Sequence, residues 1–459
     1  MGNTSAKAVR KYLAVHAEPE SQLSESFAAG LQPYGHVLAI PASGETSELV
    51  QALSSIPSSP LGPVLTILVV NAPADAPNWV HRANTQTLRT FAQERSAPRM
   101  VSPNAALYEH ARGDLLVVDR AKDPNHFPPG QGVGLARKIG GDLALALIAS
   151  GRVSSPWIHI SDADVIFPDD YFQQVPESAD PRIGALLYRF RHRPGDDSRS
   201  YEAALQYEAT LRYYVTGLGF AGSKYAFHSI GSTLALRADA YAQVRGFPRR
   251  TAAEDFYLLN KIAKVGRVRS LPGAPLKLSS RVSGRVPFGT GAAIGRMLEN
   301  PERERGTYHP ALFYHLRAWL DTLEAAIAEN PLPQDPAATL AEMARERALR
   351  DPVADPDRLV AALEVTGALA AAADALAAPR RTVRRRAQDG FDGFRTLKLL
   401  HALRDSGLPD LPLREALGRA DFLSLPEACE NETLEQIVAR IERREDELST
   451  AGASPSAQL

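Results

Sequence analysis

Four short apolar segments that alternate with helical segments constrain the fold of this chain more than any other feature of its sequence. They are His36–Ile40, Thr66–Val70, Leu115–Asp119 and Trp157–Ser161. Near-continuous apolar strands separated by helices are typical of a parallel sheet that helices cover on both faces. The sequence therefore predicts an α/β fold built on a mixed, mostly parallel sheet.

Polar residues follow most of these strands. Asn71 comes after the second strand and Asp162 after the fourth, and the first strand runs into Pro41 and Ala42, with Glu45 close behind. Ligands of open α/β sheets bind beyond the carboxyl ends of the strands. We therefore expect a nucleotide to lie at this edge of the sheet.

The chain has 459 residues, which is long for one compact core and indicates two domains. Three prolines within residues 330–336 suggest a boundary or hinge, and helical periodicity dominates beyond it, including one helix over 357–378. The predicted divisions are a helical lead-in (1–34), the α/β domain (35–300), a connecting helix and linker (301–336), a helical C-terminal domain (337–448) and a disordered tail (449–459). The C-terminal helices would pack on the α/β domain or mediate homo-oligomer formation.

Charge and composition exclude several classes of protein. The net charge of −1 does not suit a nucleic-acid-binding protein. The single cysteine, Cys429, cannot form an internal disulfide or a cysteine-based zinc site, which favours a reducing compartment. No segment approaches the roughly 20 apolar residues of a membrane span. We expect a cytoplasmic protein, and peripheral contact with a membrane stays open.

The segment Asp162-Ala163-Asp164 is the clearest candidate for a metal site. It directly follows an apolar strand, so both carboxylates can reach one small volume where the strand stops alternating. Divalent cations such as Mg²⁺ take oxygen ligands and often use only one or two carboxylates together with substrate phosphates. The alternative is that such a triplet occurs by chance or caps a helix.

A second acidic pair, Glu254-Asp255, begins a predicted helix after the turn Gly246–Pro248. Acidic residues at a helix start also suit the helix dipole, which is the simpler explanation. In the functional interpretation, Asp255 acts as a general base, and Glu254 orients or binds the acceptor.

With these motifs the chain resembles the family 2 glycosyltransferases, which have the GT-A fold, over about residues 35–295. Four features occur in the family's order. They are the strand ending at Ile40-Pro41-Ala42 with Glu45 after it, Gly132–Arg137 before a helix, Asp162-Ala163-Asp164, and the Gly-Phe-Pro turn followed by Glu254-Asp255.

The resemblance implies a metal-dependent, hexosyltransferase-like enzyme that transfers a sugar with inversion. It implies that Asp164 binds Mn²⁺ or Mg²⁺, Asp162 helps to hold the nucleoside, Arg137 contacts the nucleotide and Asp255 is the catalytic base. The implied donor is a nucleotide-diphosphate sugar, with UDP- and GDP-sugars as first candidates. The acceptor stays open between a saccharide, a lipid-linked molecule and a small molecule.

The chain also departs from the family pattern. Asn71 stands where family members often have an Asp that reads the base, so the base is not fixed. The Gln-x-x-Arg-Trp motif of processive members does not occur, which favours a non-processive enzyme. Arg281 and Arg285 lie in a predicted loop over 279–295, where they could reach the diphosphate or be solvated. His228 could be a further metal ligand, an acceptor contact or a structural residue.

Two other functions fit parts of the pattern. One is a non-catalytic nucleotide-sugar-binding scaffold of the same fold. The other is a sugar-phosphate nucleotidyltransferase, although its first loop should carry a basic residue that Pro41–Glu45 lacks.

A separate feature is the run Arg380–Arg386, with five arginines in seven residues. It reads as a solvated helix face or as a site for an anionic acceptor, an acidic partner or a lipid head group.

Overall fold

The structure is a computed structural model that describes residues 3–27, 33–94, 97–109, 113–176, 180–195, 197–283, 289–300, 306–329, 335–423 and 432–452. Its contacts divide the chain into two units, residues 1–197 with 229–292, and residues 198–228 with 293–459. The sequence had placed residues 198–228 inside the α/β domain, whereas their contacts assign them to the second unit.

Short strands and longer helices account for most of the described residues. The strands are β1 (His36–Ala42), β2 (Val64–Asn71), β3 (Arg99–Ser102), β4 (Ala105–Tyr108), β5 (Gly113–Arg120), β6 (Trp157–Ile160), β7 (Ile183–Leu187), β8 (Phe190–His192), β9 (Leu234–Arg237), β10 (Arg267–Ser270), β11 (Leu276–Leu278), β12 (Gly306–Thr307) and β13 (Leu411–Pro412). The α-helices are α1 (Asn3–Val15), α2 (Ser47–Ser55), α3 (Asn78–Glu94), α4 (Val133–Ala149), α5 (Ser198–Phe220), α6 (Ala238–Gln243), α7 (Glu254–Val265), α8 (Thr290–Glu299), α9 (Ala311–Ala328), α10 (Pro336–Ala348), α11 (Pro356–Val365), α12 (Ala368–Leu376), α13 (Arg380–Gly390), α14 (Gly393–Asp405), α15 (Leu413–Gly418) and α16 (Leu434–Gly452). Short 3-10 helices cover Pro19–Ser26 and Asp421–Leu423.

The first unit is built on a nine-stranded sheet with the order β10-β7-β9-β6-β1-β2-β5-β4-β3. The central strands β6, β1, β2 and β5 are parallel neighbours. Of the nine strands described in this sheet, only β4 and β9 run opposite to the others. The predicted α/β class with a mixed, mostly parallel sheet is confirmed.

Burial explains why these segments form strands. Every residue of β1 and β2 is buried, as expected for strands covered on both faces. Helix α4 packs on β1, where a Cβ added to Gly140 would lie 2.7 Å from the Cβ of Ala39. The neighbouring Leu38 and Ile40 point to the opposite face and join a core that contains Tyr171. Because the four central strands are parallel neighbours, their carboxyl ends lie at one edge of the sheet.

The structure adds elements that the sequence did not predict and corrects two of its predictions. The hairpin of β3 and β4 and the short strands β7 and β10 were not predicted. The segment 279–295 was expected to be a loop, but its end forms the first part of α8. The helix expected over 357–378 is two helices, because Gly367 adopts a left-handed conformation (φ +69°) between them.

The second unit is predominantly helical, as expected for the C-terminal part. Its core contains Leu312, Trp319, Leu359 and Leu400, among many other apolar residues. Helix α13 carries the arginine run, whose five guanidinium-bearing residues are exposed while Val383 faces the core. Among the described residues no single helix is long and apolar enough to cross a membrane, and one bent pair, α11 with α12, meets that test by length and composition.

Candidate functional site

The carboxyl edge of the central strands brings the first acidic motif into place. Beyond β6, the backbone N–H of Ser161 still donates to Ala39 O (3.1 Å), so the chain follows β1 to its end. The Ser161 hydroxyl donates to Ser232 O (2.9 Å). Asp162 and Asp164 follow at once, and their side chains are 36% and 22% exposed. Both carboxylates are therefore accessible at the edge where the sequence predicted a ligand.

Arg137 joins the two acidic motifs. Its Nη2 donates to Asp162 Oδ1 (2.6 Å), and its Nη1 donates to Glu254 Oε1. Arg137 is 6% exposed and Glu254 is 1% exposed. Burial alone would lower the pKa of Arg137, but the charges of Asp162 and Glu254 outweigh burial and raise it. Desolvation raises the pKa of Asp162, Arg137 opposes this change, and Asp164 adds to it.

Two glycines allow close contacts that position the Arg137 side chain and the start of α4. A Cβ added to Gly231 would lie 2.2 Å from Arg137 Nη1, so only glycine leaves room for the guanidinium. A Cβ added to Gly134 would lie 2.5 Å from Arg250 O, and the Gly134 N–H donates to that oxygen (3.1 Å). The start of α4 is therefore fixed against the backbone that leads into α7.

A fully buried carboxylate anchors the middle of α4. Asp142 accepts hydrogen bonds from Tyr12 Oη (2.5 Å), Tyr241 Oη (2.8 Å), Lys138 Nζ (2.9 Å) and the backbone N–H of Glu18 (2.8 Å). Two of these donors lie in the N-terminal segment, which the sequence had described only as a helical lead-in. That segment therefore braces the helix that carries Arg137.

Asp255 lies at the start of α7, next to Glu254. The residue before them, Ala253, adopts a left-handed conformation (φ +60°) that is unusual for a residue with a Cβ. Burial raises the pKa of Asp255 to about 6, the charge of Glu254 adds to the increase, and Arg137 opposes it. The Asp255 carboxylate is thus a stronger base than an ordinary aspartate and lies within the electrostatic reach of the Arg137 network.

A second arginine contacts Asp164. The Nε and Nη2 atoms of Arg281 donate to Asp164 Oδ2 (3.0 and 2.8 Å), and Nη2 also donates to Glu45 Oε2 (2.9 Å). Glu48 Oε1 lies 3.5 Å from Nε. Burial alone would lower the pKa of Arg281, but Asp164 and Glu45 more than offset burial and raise it. In this structure Arg281 therefore binds carboxylates from two segments distant in sequence, and its contact with a diphosphate stays a prediction.

The carboxylate oxygens of Asp162 and Asp164 are suitable ligands for a divalent cation. Among the residues that the structure describes, no three His, Cys, Asp or Glu side chains form a group that could hold a metal by themselves. A cation held by two carboxylates takes its remaining ligands from water and phosphate. The side chains that meet around the two acidic motifs carry an excess of negative charge, since these six carboxylates and two guanidinium groups sum to a formal charge of −4. The acids are Glu45, Glu48, Asp162, Asp164, Glu254 and Asp255, and the bases are Arg137 and Arg281.

The other residues predicted to bind the nucleotide lie at the ends of β1 and β2. Pro41 and Ala42 are the last residues of β1 and are buried. Asn71 ends β2, and its Nδ2 donates to Ala42 O (3.0 Å) and Val69 O (3.1 Å). The amide nitrogen of Asn71 therefore ties the two strand ends together. Base recognition by Asn71 stays a prediction.

Two predicted site residues stay predictions. His228 belongs to the second unit, where its Nε2 lies 2.7 Å from Glu445 Oε1, and its role as a metal ligand stays a prediction. Arg285 lies outside the described residues. In the first unit, His159 is fully buried, and one of its ring nitrogens lies 3.2 Å from a ring nitrogen of His36.

Sequence reasoning missed Glu48, Gly134 and Gly231 as parts of this site. A partial signal existed for Gly134, which lies in the Gly-Val-Gly segment before Arg137. Gly231 follows a polar loop with no periodic pattern, so its close approach to a guanidinium is a purely tertiary feature. Glu48 reads as an ordinary acidic residue in the first turn of a helix.

Comparisons with known proteins return structural likenesses only. No protein-family model matches the chain, and no curated protein matches it. The chain is similar to the structure of the mannosyltransferase PcManGT from Pyrobaculum calidifontis in complex with GDP-Man and Mn²⁺, with a TM-score of 0.36, 18% identity, and coverage of 88% of this chain and 98% of that one. It is also similar to S. aureus TarS in complex with UDP-GlcNAc, with a TM-score of 0.33, 13% identity, and coverage of 81% and 92%. Likenesses at this level leave the function to be argued from the residues of the site.

Proposed function

We propose that this protein is a glycosyltransferase that moves a sugar from a nucleoside-diphosphate sugar to an acceptor hydroxyl. One observation carries the proposal. Arg137 joins Asp162, at the end of a central parallel strand, to Glu254, at the start of the helix that carries Asp255. A candidate base with a raised pKa is thereby held beside the acidic edge where a nucleotide is expected.

The donor half of the site would lie along the ends of β1, β2 and β6. Pro41, Ala42 and Asn71 line the strand ends that face the nucleoside in this proposal. A divalent cation held by Asp164 and Asp162 would supply positive charge for the departing diphosphate. Arg281 presents a planar guanidinium, whose geometry suits phosphate oxygens as well as carboxylates.

The acceptor half of the site would use Asp255. Its carboxylate takes the proton of the acceptor hydroxyl while that oxygen forms a bond to the anomeric carbon of the sugar. The bond from that carbon to the diphosphate oxygen breaks, and the nucleoside diphosphate leaves. A single displacement of this kind inverts the anomeric centre. Glu254, which is buried and bound to Arg137, would position Asp255.

The pKa of about 6 suits this role of Asp255. A general base works best when its pKa lies near the working pH, because it is then both deprotonated and appreciably basic. An exposed aspartate with a pKa near 4 would be deprotonated but weakly basic. The burial that raises the pKa therefore matches the chemistry proposed.

The test compares the wild type with Asp255→Asn, and with Asp180→Asn as a control at a half-buried aspartate before the start of β7. UDP- and GDP-sugars are supplied with MnCl₂, and release of the nucleoside diphosphate by slow donor hydrolysis is measured beside donor affinity. We expect Asp255→Asn to reduce release by about 100-fold or more and to leave donor affinity within roughly threefold. Unchanged release in Asp255→Asn would contradict the proposal. Donor binding without any turnover in the wild type would favour the scaffold.

A further inference from the structure

Arg281 lies inside a pocket of acidic side chains. Its guanidinium contacts Asp164, Glu45 and Glu48, and it is itself 27% exposed. Glu45 is almost fully buried, while Asp164 and Glu48 still reach solvent. One guanidinium among three carboxylates leaves the pocket with a formal charge of −2, so the pocket can still attract a divalent cation.

The same arginine also opposes that cation at Asp164. Both Nε and Nη2 donate to one oxygen, Oδ2, which reduces what this carboxylate can offer a metal ion. A second positive charge bound to Asp164 would lie within a few ångströms of the guanidinium and would be repelled by it. The contacts on Asp164 therefore set Arg281 and a cation in competition for one carboxylate.

We propose that Arg281 is a built-in counter-ion that keeps a divalent cation from binding tightly to Asp164 until a diphosphate is present. The inference rests on the proposed function, because the diphosphate of the donor is the group that relieves the competition. Phosphate oxygens accept the same forked hydrogen bonds as carboxylates, so Arg281 can exchange Asp164 for the diphosphate. Metal ion and diphosphate then bind cooperatively.

Arg281 can exchange partners because 27% of its side chain is exposed. Arg137, in contrast, is buried and bonded to carboxylates through both of its terminal nitrogens. The coupling is reciprocal, since a diphosphate that raises metal affinity is itself bound more tightly when the metal is present. An enzyme with this arrangement binds the cation and the nucleotide sugar as one unit, and it binds little free metal.

The experiment titrates MnCl₂ alone into the wild type, Arg281→Ala, Arg281→Lys and Arg182→Ala, with affinity measured by calorimetry. Arg182 is an exposed arginine of the same unit and controls for the loss of one positive charge. We expect Arg281→Ala to bind Mn²⁺ more tightly than the wild type by about 5- to 150-fold, the usual range of coupling between sites. Arg281→Lys and Arg182→Ala should stay within roughly threefold of the wild type, and Arg281→Ala/Asp164→Ala should lose the gain.

The second measurement repeats the titrations with saturating UDP or GDP, which should raise Mn²⁺ affinity more in the wild type than in Arg281→Ala. Unchanged or weaker Mn²⁺ binding in a folded Arg281→Ala would overturn the inference. If that variant does not fold, an Mn²⁺ affinity of the wild type that is unaffected by a nucleotide shown to bind would overturn it. Failure of the proposed function looks different, because no nucleotide would then bind, while the metal-only comparison would still show the effect of Arg281.

Discussion

Two arginines, Arg137 and Arg281, lie at the same edge of the sheet but differ in burial and in the carboxylates that they bind. The Arg137 side chain is 6% exposed and is hydrogen-bonded to Asp162 and Glu254. The Arg281 side chain is 27% exposed. A buried ion pair is costly to break because the remaining charge is left unpaired, while a partly exposed pair exchanges with water at little cost. Burial therefore separates a structural arginine from an exchangeable one.

The local structure around each arginine accounts for this difference. Arg137 lies in the first turns of α4, a helix buried along most of its length and anchored by Asp142. Arg281 lies in an irregular segment after β11. The buried arginine is thus carried by a helix, and the partly exposed one by a segment without regular secondary structure.

The largest effect should come from breaking the Arg137 network. Arg137→Met leaves the Glu254 carboxylate buried without its partner, so we expect a loss of about 3–5 kcal/mol in the free energy of unfolding and loss of donor hydrolysis. Arg281→Met should cost less, about 1–2 kcal/mol, because Asp164 and Glu48 reach solvent, although the buried Glu45 loses this partner. Chemical denaturation of both variants measures the difference.

The double variant Arg137→Met/Glu254→Leu serves as the control for this comparison. It removes both buried charges, and we expect it to recover part of the lost stability, as replacement of buried ion pairs by apolar residues often does. Equal destabilisation by Arg137→Met and Arg281→Met would show that burial does not distinguish the two arginines.

The pH dependence of activity should report Asp255. Because the folded protein raises the pKa of this carboxyl to about 6, the carboxylate form needed for proton removal is lost as the pH falls through that value. We expect kcat/KM to be level above pH 7 and to fall about tenfold per pH unit below 6. Glu254→Gln removes a charge that raises this pKa and should move the inflection to lower pH. An inflection near pH 4 in the wild type would argue against a buried base.

A smaller effect should follow from Gly134→Ala. Its new Cβ would meet the backbone oxygens of Arg250 and Pro248 at 2.5 and 2.6 Å, so the backbone leading into α7 must shift. We expect a loss of about 1–3 kcal/mol in the free energy of unfolding, together with lower turnover. Gly132→Ala is the matched control, because its Cβ would meet neighbours only at 3.8 Å or more. Similar losses in both variants would remove the support for a fixed approach at Gly134.

The smallest predicted effect concerns Ala253, which adopts a left-handed conformation just before Glu254. Glycine adopts this conformation without strain, so Ala253→Gly should raise the free energy of unfolding by about 0.5–1 kcal/mol. Ala252→Gly relieves no positive φ, so it should lower the free energy of unfolding slightly, since glycine adds entropy to the unfolded chain. Thermal melts of the two variants give the comparison, and a loss in both would mean that Ala253 stores no strain.

The centre of the fold follows from local pattern, and its edges do not. The strands β1, β2, β5 and β6 each contain a run of mostly apolar residues, and their bounds differ from the predicted ones by a few residues at most. The strand β9 inserts between β6 and β7 in the opposite direction, which no local signal specifies. The break at Gly367 was missed because a single glycine within an alanine-rich helical pattern does not say whether the helix continues.

The candidate site divides in a similar way. The two acidic motifs could be located because the chemistry of a metal and a base calls for carboxylates at the end of a strand and the start of a helix. Their connection through Arg137 could not be predicted, because a charge buried between Asp162 and Glu254 depends on packing between distant segments. The sequence left Arg281 open between diphosphate contact and solvation, and its contacts with Asp164 and Glu45 appear only in the folded structure.

The central claim is that this edge binds a nucleoside diphosphate with a divalent cation held by Asp164. Equilibrium titration of UDP, GDP, dTDP and ADP, each with and without Mn²⁺ or Mg²⁺, tests it on the wild type and on Asp164→Ala. The account predicts tight binding of one diphosphate that requires the metal and is lost in Asp164→Ala. No binding of any of the four by folded wild-type protein, or binding that Asp164→Ala leaves unchanged, would contradict it.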